Sequence, residues 1–199
     1  MDLDLAPSTW QLWCYATLSL TLVMAVEADL REHRIPNVVV LLMLCGGVLL
    51  NTFGPANGRE GMFSQFPGAL GAAQALLGVL VGLALFLPMY LGRAMGAGDV
   101  KLLAALGAFS GPVEIISLAL CILVAGGVLA MARMLWTGKS RAVLSNVKLV
   151  LGGLGGLSGG SFDPVTQSAE RMPYALAFAG GLLAWSYWRS VGGMPLISF

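Results

Sequence analysis

The chain has 199 residues, 57% of them hydrophobic and 11% charged, and a formal net charge of +1. With a mean hydropathy of +0.83, it has too little polar surface to coat a water-soluble globule and reads as an all-α integral membrane protein. The balanced charge excludes the clustered basic footprint of a nucleic-acid partner, and Cys14, Cys45 and Cys121 stand singly in apolar stretches, which excludes a zinc cluster or a disulfide framework.

The three cysteines read as small packing residues. The start Met1-Asp2-Leu3-Asp4 lacks the basic region of a cleavable secretory signal, so the first apolar segment is expected to remain. Spans need roughly 20 apolar residues each, and six windows fit. They run from about Trp10 to Ala28, Pro36 to Phe53, Gly68 to Leu91, Asp99 to Phe109, Val113 to Trp136 and Pro173 to Trp188. The fourth is short, ends near Gly111-Pro112, and allows a re-entrant segment. Pro36 and Pro173 mark helix starts, where a missing N–H costs nothing. Trp10, Trp13, Tyr90, Trp136, Trp185 and Trp188 near span ends suit interfacial anchors.

Lys and Arg are retained on the cytoplasmic side. Arg31, Arg34, Arg93, Lys101, Arg133, Lys139, Arg141, Lys148 and Arg171 cluster on one face of the six-span scheme, with Arg59 and Arg189 opposite. Both termini are therefore expected outside, and the ends carrying Asp29 and Asp99 inside. A cytoplasmic loop is expected at about 137–171. Within it, Lys139 to Val150 suits an amphipathic helix on an anionic leaflet or a substrate-facing lid, and the glycine-rich run Leu151 to Ser161 cannot hold a rigid helix.

Two ionisable groups at span ends stand out as functional candidates. Asp29 lies in Asp29-Leu30-Arg31-Glu32-His33-Arg34-Ile35-Pro36-Asn37, and Asp99 in Gly96-Ala97-Gly98-Asp99-Val100-Lys101. Two carboxyls sharing a proton can hydrolyse a peptide bond, one activating water while the other donates to the carbonyl. Gly96 and Gly98 clear side chains from where backbone approaches closely, and a helix start at Asp99 offers free N–H donors and a positive dipole end. Lys101 either pairs with a carboxyl of the dyad or snorkels, and Asn37 either serves the site or caps the second span. Glu27 reads as a boundary carboxylate or a tuner of Asp29. The single histidine, His33, reads as a loop residue, because no GxSxG elbow accompanies it. Glu114, Asp163 and Glu170 read as solvated loop charges.

The motif Asp29-x-Arg31-x-x-x-Ile35-Pro36-Asn37 followed by Gly96-Ala97-Gly98-Asp99-Val100-Lys101 resembles the type IV prepilin peptidases, GxGD-type aspartyl proteases of the bacterial inner membrane. The resemblance runs from about Asp29 to Gly111, with a looser match at Arg171-Met172-Pro173-Tyr174-Ala175. It implies a bundle of about six transmembrane helices forming one peptidase domain over residues 1–199. It also implies multi-pass insertion in the inner membrane and cleavage of the basic leader from prepilins at the cytoplasmic face. Asp29 and Asp99 are implied as the catalytic pair, with Arg31, Pro36, Asn37, Gly96, Gly98 and Lys101 shaping the site. The implied partners are a prepilin or pseudopilin substrate, the lipid bilayer and pilus assembly machinery, with no cofactor and no metal. The paired CxxC domain of the larger members has no counterpart here. The chain therefore looks like the short form found with tight-adherence (Flp) pili, for which neither a zinc-binding domain nor methyltransferase activity is expected.

Competing readings are a small ion- or proton-coupled transporter or assembly component using membrane-edge aspartates and, nearer in chemistry, a preflagellin-type peptidase. A cytoplasm-facing cavity with a mobile wall is expected between the first and fourth spans.

Overall fold

A computed structural model describes residues 7–55, 61–64, 67–92, 95–137 and 174–195. Among them the chain is helical, without β-strands beyond an isolated bridge between Gly61 and Gly68. The helices are α1 (Pro7–Glu32), α2 (Asn37–Phe53), α3 (Ala72–Leu91), α4 (Ala97–Thr137) and α5 (Ala175–Ser190). Most of the loop expected at 137–171, the helix start at Pro173, and the charges Arg59, Arg93, Asp163 and Glu170 lie outside the described residues.

Three helical stretches, Thr9–Glu32, Ala72–Leu91 and Ala97–Arg133, are long and apolar enough to cross a membrane, and Asn37–Phe53 is a shorter apolar helix. Leu12, Leu20, Val23, Leu41, Leu49, Leu80, Val124 and Val128 all lie exposed on helix flanks. Such lateral apolar exposure suits lipid and would be a liability in water.

The long α4 is two arms, 97–110 and 113–137, meeting at Gly111, whose φ of 74° and ψ of 177° are not helical. The positive φ suits glycine, and Pro112 can open the second arm because a helix's first turn needs no N–H from it. The arms run in opposite directions. Gly78 of α3 abuts Gly107, and Gly82 lies against Leu103, so α3 is antiparallel to the first arm. In the second arm Glu114 meets Trp185 and Arg189, Ile122 meets Gly181, and Gly126 meets Tyr174. That arm is therefore antiparallel to α5. The expected short fourth segment and the fifth thus correspond to the two arms, and the six helical segments described alternate in direction.

The first arm is the core of the bundle. Leu102 to Ser110 are buried without interruption, enclosed by α2, α3 and neighbouring elements. Close approach is set by glycine: a Cβ on Gly107 would run into the Gly78 carbonyl oxygen, and one on Gly78 into that of Gly107. Gly107→Ala is expected to cost about 1–3 kcal/mol through forced separation of the helices. Gly127→Ala, where an added Cβ meets nothing within 4 Å, is expected to be neutral or slightly stabilising. Thermal unfolding in detergent compares the two directly.

Far from the two aspartates, Asn51 ties three segments together. Its amide nitrogen donates to Ala108 O at 2.9 Å and Gly47 O at 3.2 Å, while its Oδ1 accepts from the Leu70 N–H at 3.0 Å. A buried amide so satisfied fixes register rather than merely filling space.

The structure departs from several sequence-based expectations. Glu114 is not a solvated loop charge: it is buried, with Oε1 2.9 Å from Arg189 Nη2 and Oε2 accepting from Trp185 Nε1 at 2.9 Å. Trp185 and Trp10 are not interfacial anchors but fully buried; the Trp10 indole donates to Leu50 O at 2.8 Å. Trp13, Tyr90, Trp136 and Trp188 are exposed, in keeping with that role. Cys14 is buried as expected, whereas Cys45 is exposed on α2 and Cys121 is intermediate.

Candidate active site

Helix α1 buries Trp10, Cys14, Leu18, Leu22, Ala25 and Asp29, a stripe advancing in steps of three and four. Asp29 is the last member of that stripe, so its carboxyl points into the bundle and is only 7% exposed. Glu27 and Arg31 lie on the outer side of the same turn, paired at 2.7 Å and both exposed. Arg31, expected to shape the site, is thus engaged away from it, and Glu27 is its surface partner. The helix closes at His33, whose φ is 51° and whose N–H donates to Asp29 O at 3.0 Å. His33 is the loop residue the sequence suggests.

One oxygen of the Asp29 carboxyl is held from across the fold. Oδ2 accepts from the N–H of Ala175, the first residue of α5, at 2.9 Å. A helix start has unpaired N–H groups and the positive end of the dipole, both of which favour a carboxylate there. The side chain at the end of α1 is therefore oriented by the beginning of α5.

Asp99 is the third residue of α4, half-buried, with the Gly96 backbone as its hydrogen-bond partner. A Cβ on Gly96 would sit 3.3 Å from Asp99 Oδ2, and one on Gly98 3.3 Å from the Ile35 Cβ. The two motif glycines thus leave room for the carboxylate and for the α1–α2 loop respectively. Asp29 and Asp99 lie close enough for their charges to interact. The structure therefore brings together, at one end of the bundle, two carboxyls separated by seventy positions in sequence.

Pro36 occupies the N-cap of α2, its carbonyl accepting from Val39 N at 3.1 Å and Val40 N at 3.4 Å. Asn37 makes no capping bond. Its Oδ1 accepts instead from Lys101 Nζ at 3.1 Å, on the exposed surface. Lys101 therefore neither pairs with a dyad carboxyl nor hangs free; with Asn37 it staples the start of α2 to the start of α4. Lys101→Ala is expected to change cleavage by at most about fivefold, the scale of one solvent-facing hydrogen bond. Steady-state kcat/KM would show it.

In the sequence Tyr174 belongs only to a loose match, and the Ala175 N–H carries no side-chain signal at all. The phenol of Tyr174 is half-buried, and its pKa is raised by burial and then by the negative charge of Asp99. A cavity of about 450 Å³ bounded by Gln74, Ser110, Glu114 and Arg189, and another of about 350 Å³ beside Asn51 and Gly71, open at the opposite end of the bundle. Neither is the cavity expected beside the aspartates. Among the described residues no cluster of three or more His, Cys, Asp or Glu could hold a metal ion.

A sequence model of the type IV leader peptidase family matches residues 16–131, a stretch that contains both aspartates and every residue of their two motifs. The chain belongs to the type IV leader peptidase family. No curated protein and no solved structure matches it. Membership makes it a leader peptidase-type protease built on membrane-spanning helices. Helix α5 and its N-cap, which supply Ala175 and Tyr174, lie beyond the matched stretch.

Proposed function

We propose that this leader peptidase is an aspartyl endopeptidase of the GxGD type that removes the basic leader from prepilins at the cytoplasmic face of the bacterial inner membrane. The observation carrying this reading is the inward-facing Asp29 beside Asp99 at one end of the bundle. In this mechanism one carboxylate takes a proton from water as the water oxygen attacks the scissile carbonyl carbon. The other carboxyl donates its proton to the carbonyl oxygen, and proton return to the amine nitrogen breaks the C–N bond. Asp29, held by the Ala175 N–H, and Asp99, held at the Gly96 backbone, are the two partners.

All six helical segments cross the membrane in this reading, with the aspartate end inside. The basic residues Arg31, Arg34 and Lys101 near that end support the orientation, and Arg189 at the other end is charge-paired with Glu114. The substrate is a prepilin or pseudopilin of the tight-adherence (Flp) type, presented from the bilayer to the pilus assembly machinery after cleavage. Incubating membranes carrying the protein with a leader-bearing Flp prepilin, and in parallel with a preflagellin, tests the reading. Cleavage of the prepilin in preference to the preflagellin is expected; the reverse preference would reassign the substrate.

A further inference from the structure

Hydrolysis at a two-carboxyl centre leaves one requirement that the carboxyls serve only in part. As the water oxygen bonds to the scissile carbon, the C=O π pair moves onto the carbonyl oxygen, and a preorganised donor aimed at that oxygen lowers the barrier. We propose that Tyr174 is a third catalytic residue of this site, its phenol O–H donating a hydrogen bond to the scissile carbonyl oxygen as that oxygen gains negative charge. The proposal rests on the aspartyl-protease reading above. No covalent role is implied: water's proton passes to one carboxylate, the other carboxyl protonates the oxygen, and Tyr174 keeps its own proton.

Three features position the phenol. Its backbone is the N-cap of α5, with φ −70° and ψ −22°. Its carbonyl accepts from the Ala177 N–H at 2.9 Å, and the next residue donates to Asp29 Oδ2. The ring rests on Gly126 of the second arm of α4: a Cβ there would lie 3.3 Å from Tyr174 Cε1 and 3.8 Å from Cζ. Glycine at 126 thus makes the slot in which the hydroxyl-bearing edge of the ring sits. The residue next to Tyr174 makes the Asp29 contact, and the phenol lies close enough to Asp99 to feel its charge. Burial and that charge both favour the protonated phenol, the form that donates.

The test uses the full-length protein in proteoliposomes with a leader-bearing prepilin. Tyr174→Phe keeps the ring on Gly126 and removes only the donor. It is expected to lower kcat about a hundredfold while KM stays within about twofold, because the bond strengthens in the transition state. Wild-type kcat in Tyr174→Phe, alongside inactive Asp29→Asn and Asp99→Asn, overturns the proposal and leaves the protease reading intact. Active Asp29→Asn or Asp99→Asn defeats that reading instead. A measurement independent of turnover, and of whether Tyr174→Phe folds, is the ¹⁹F resonance of 3-fluorotyrosine placed at position 174. It is expected to move when Asp99→Asn is introduced; an unmoved resonance puts the phenol out of reach of the dyad and overturns the proposal.

Discussion

Asp29→Asn and Asp99→Asn are each expected to lower prepilin cleavage by about a thousandfold or more, with insertion and thermal stability little changed. Asparagine preserves size and can still accept from the Ala175 N–H or the Gly96 backbone, so the geometry survives. It cannot take or give the proton that the reaction moves. The proposed shared-proton mechanism has the two carboxyls act as a unit, so it predicts a double variant no worse than about the poorer single one, and far from the product of the two losses. Quantified cleavage in proteoliposomes, normalised to enzyme inserted, measures all three. Multiplicative losses would mean the carboxyls act on separate steps rather than on one shared proton inventory.

The second large effect lies at the other end of the molecule. Arg189→Leu is expected to destabilise the folded bundle by about 3–5 kcal/mol, because it strands the Glu114 carboxylate in the interior. The pair is well enclosed, with side chains 16% and 10% exposed, so solvent screening is modest. Arg189 Nη1 also donates to Gly193 O at 2.8 Å, tying down the turn that ends α5. The double variant Glu114→Leu/Arg189→Leu should recover most of the loss, since a matched apolar pair replaces a buried charge pair at little cost. Unfolding in detergent, followed by tryptophan fluorescence, compares the three. Such a loss is a large share of the stability of any domain, and it acts on the helix that also presents Ala175 and Tyr174 to the aspartates.

Much of this was legible in the sequence because the signals were local. The apolar windows located the helical segments, and Gly111-Pro112 marked the reversal between the arms of α4, where positive φ and a proline start coincide. Asp29 and Asp99 stood out because charge at a span end is costly without a purpose. The failures share a cause: partners far away in the chain. Glu114 follows a glycine–proline turn and resembles a surface charge until Trp185 and Arg189 arrive from α5. Trp10 resembles an interfacial anchor, yet α1 begins early enough to turn it onto the buried stripe that ends at Asp29. Arg31 and Lys101 belong to the motifs but point to Glu27 and Asn37, and composition cannot say which way a long side chain turns. The Ala175 N–H is invisible to any residue-type pattern.

The transporter reading fits the geometry less well. It calls for carboxylates near the middle of the bundle, whereas Asp29 ends α1 and Asp99 begins α4.

The most direct measurement is mass spectrometry of the products when the purified wild-type protein, reconstituted alone in proteoliposomes, meets a leader-bearing Flp prepilin. The account predicts a leader fragment and a mature pilin that begins at the leader junction, both lost when Asp29 or Asp99 is asparagine. An intact prepilin with the wild-type protein, or the same two fragments with either asparagine variant, would contradict it.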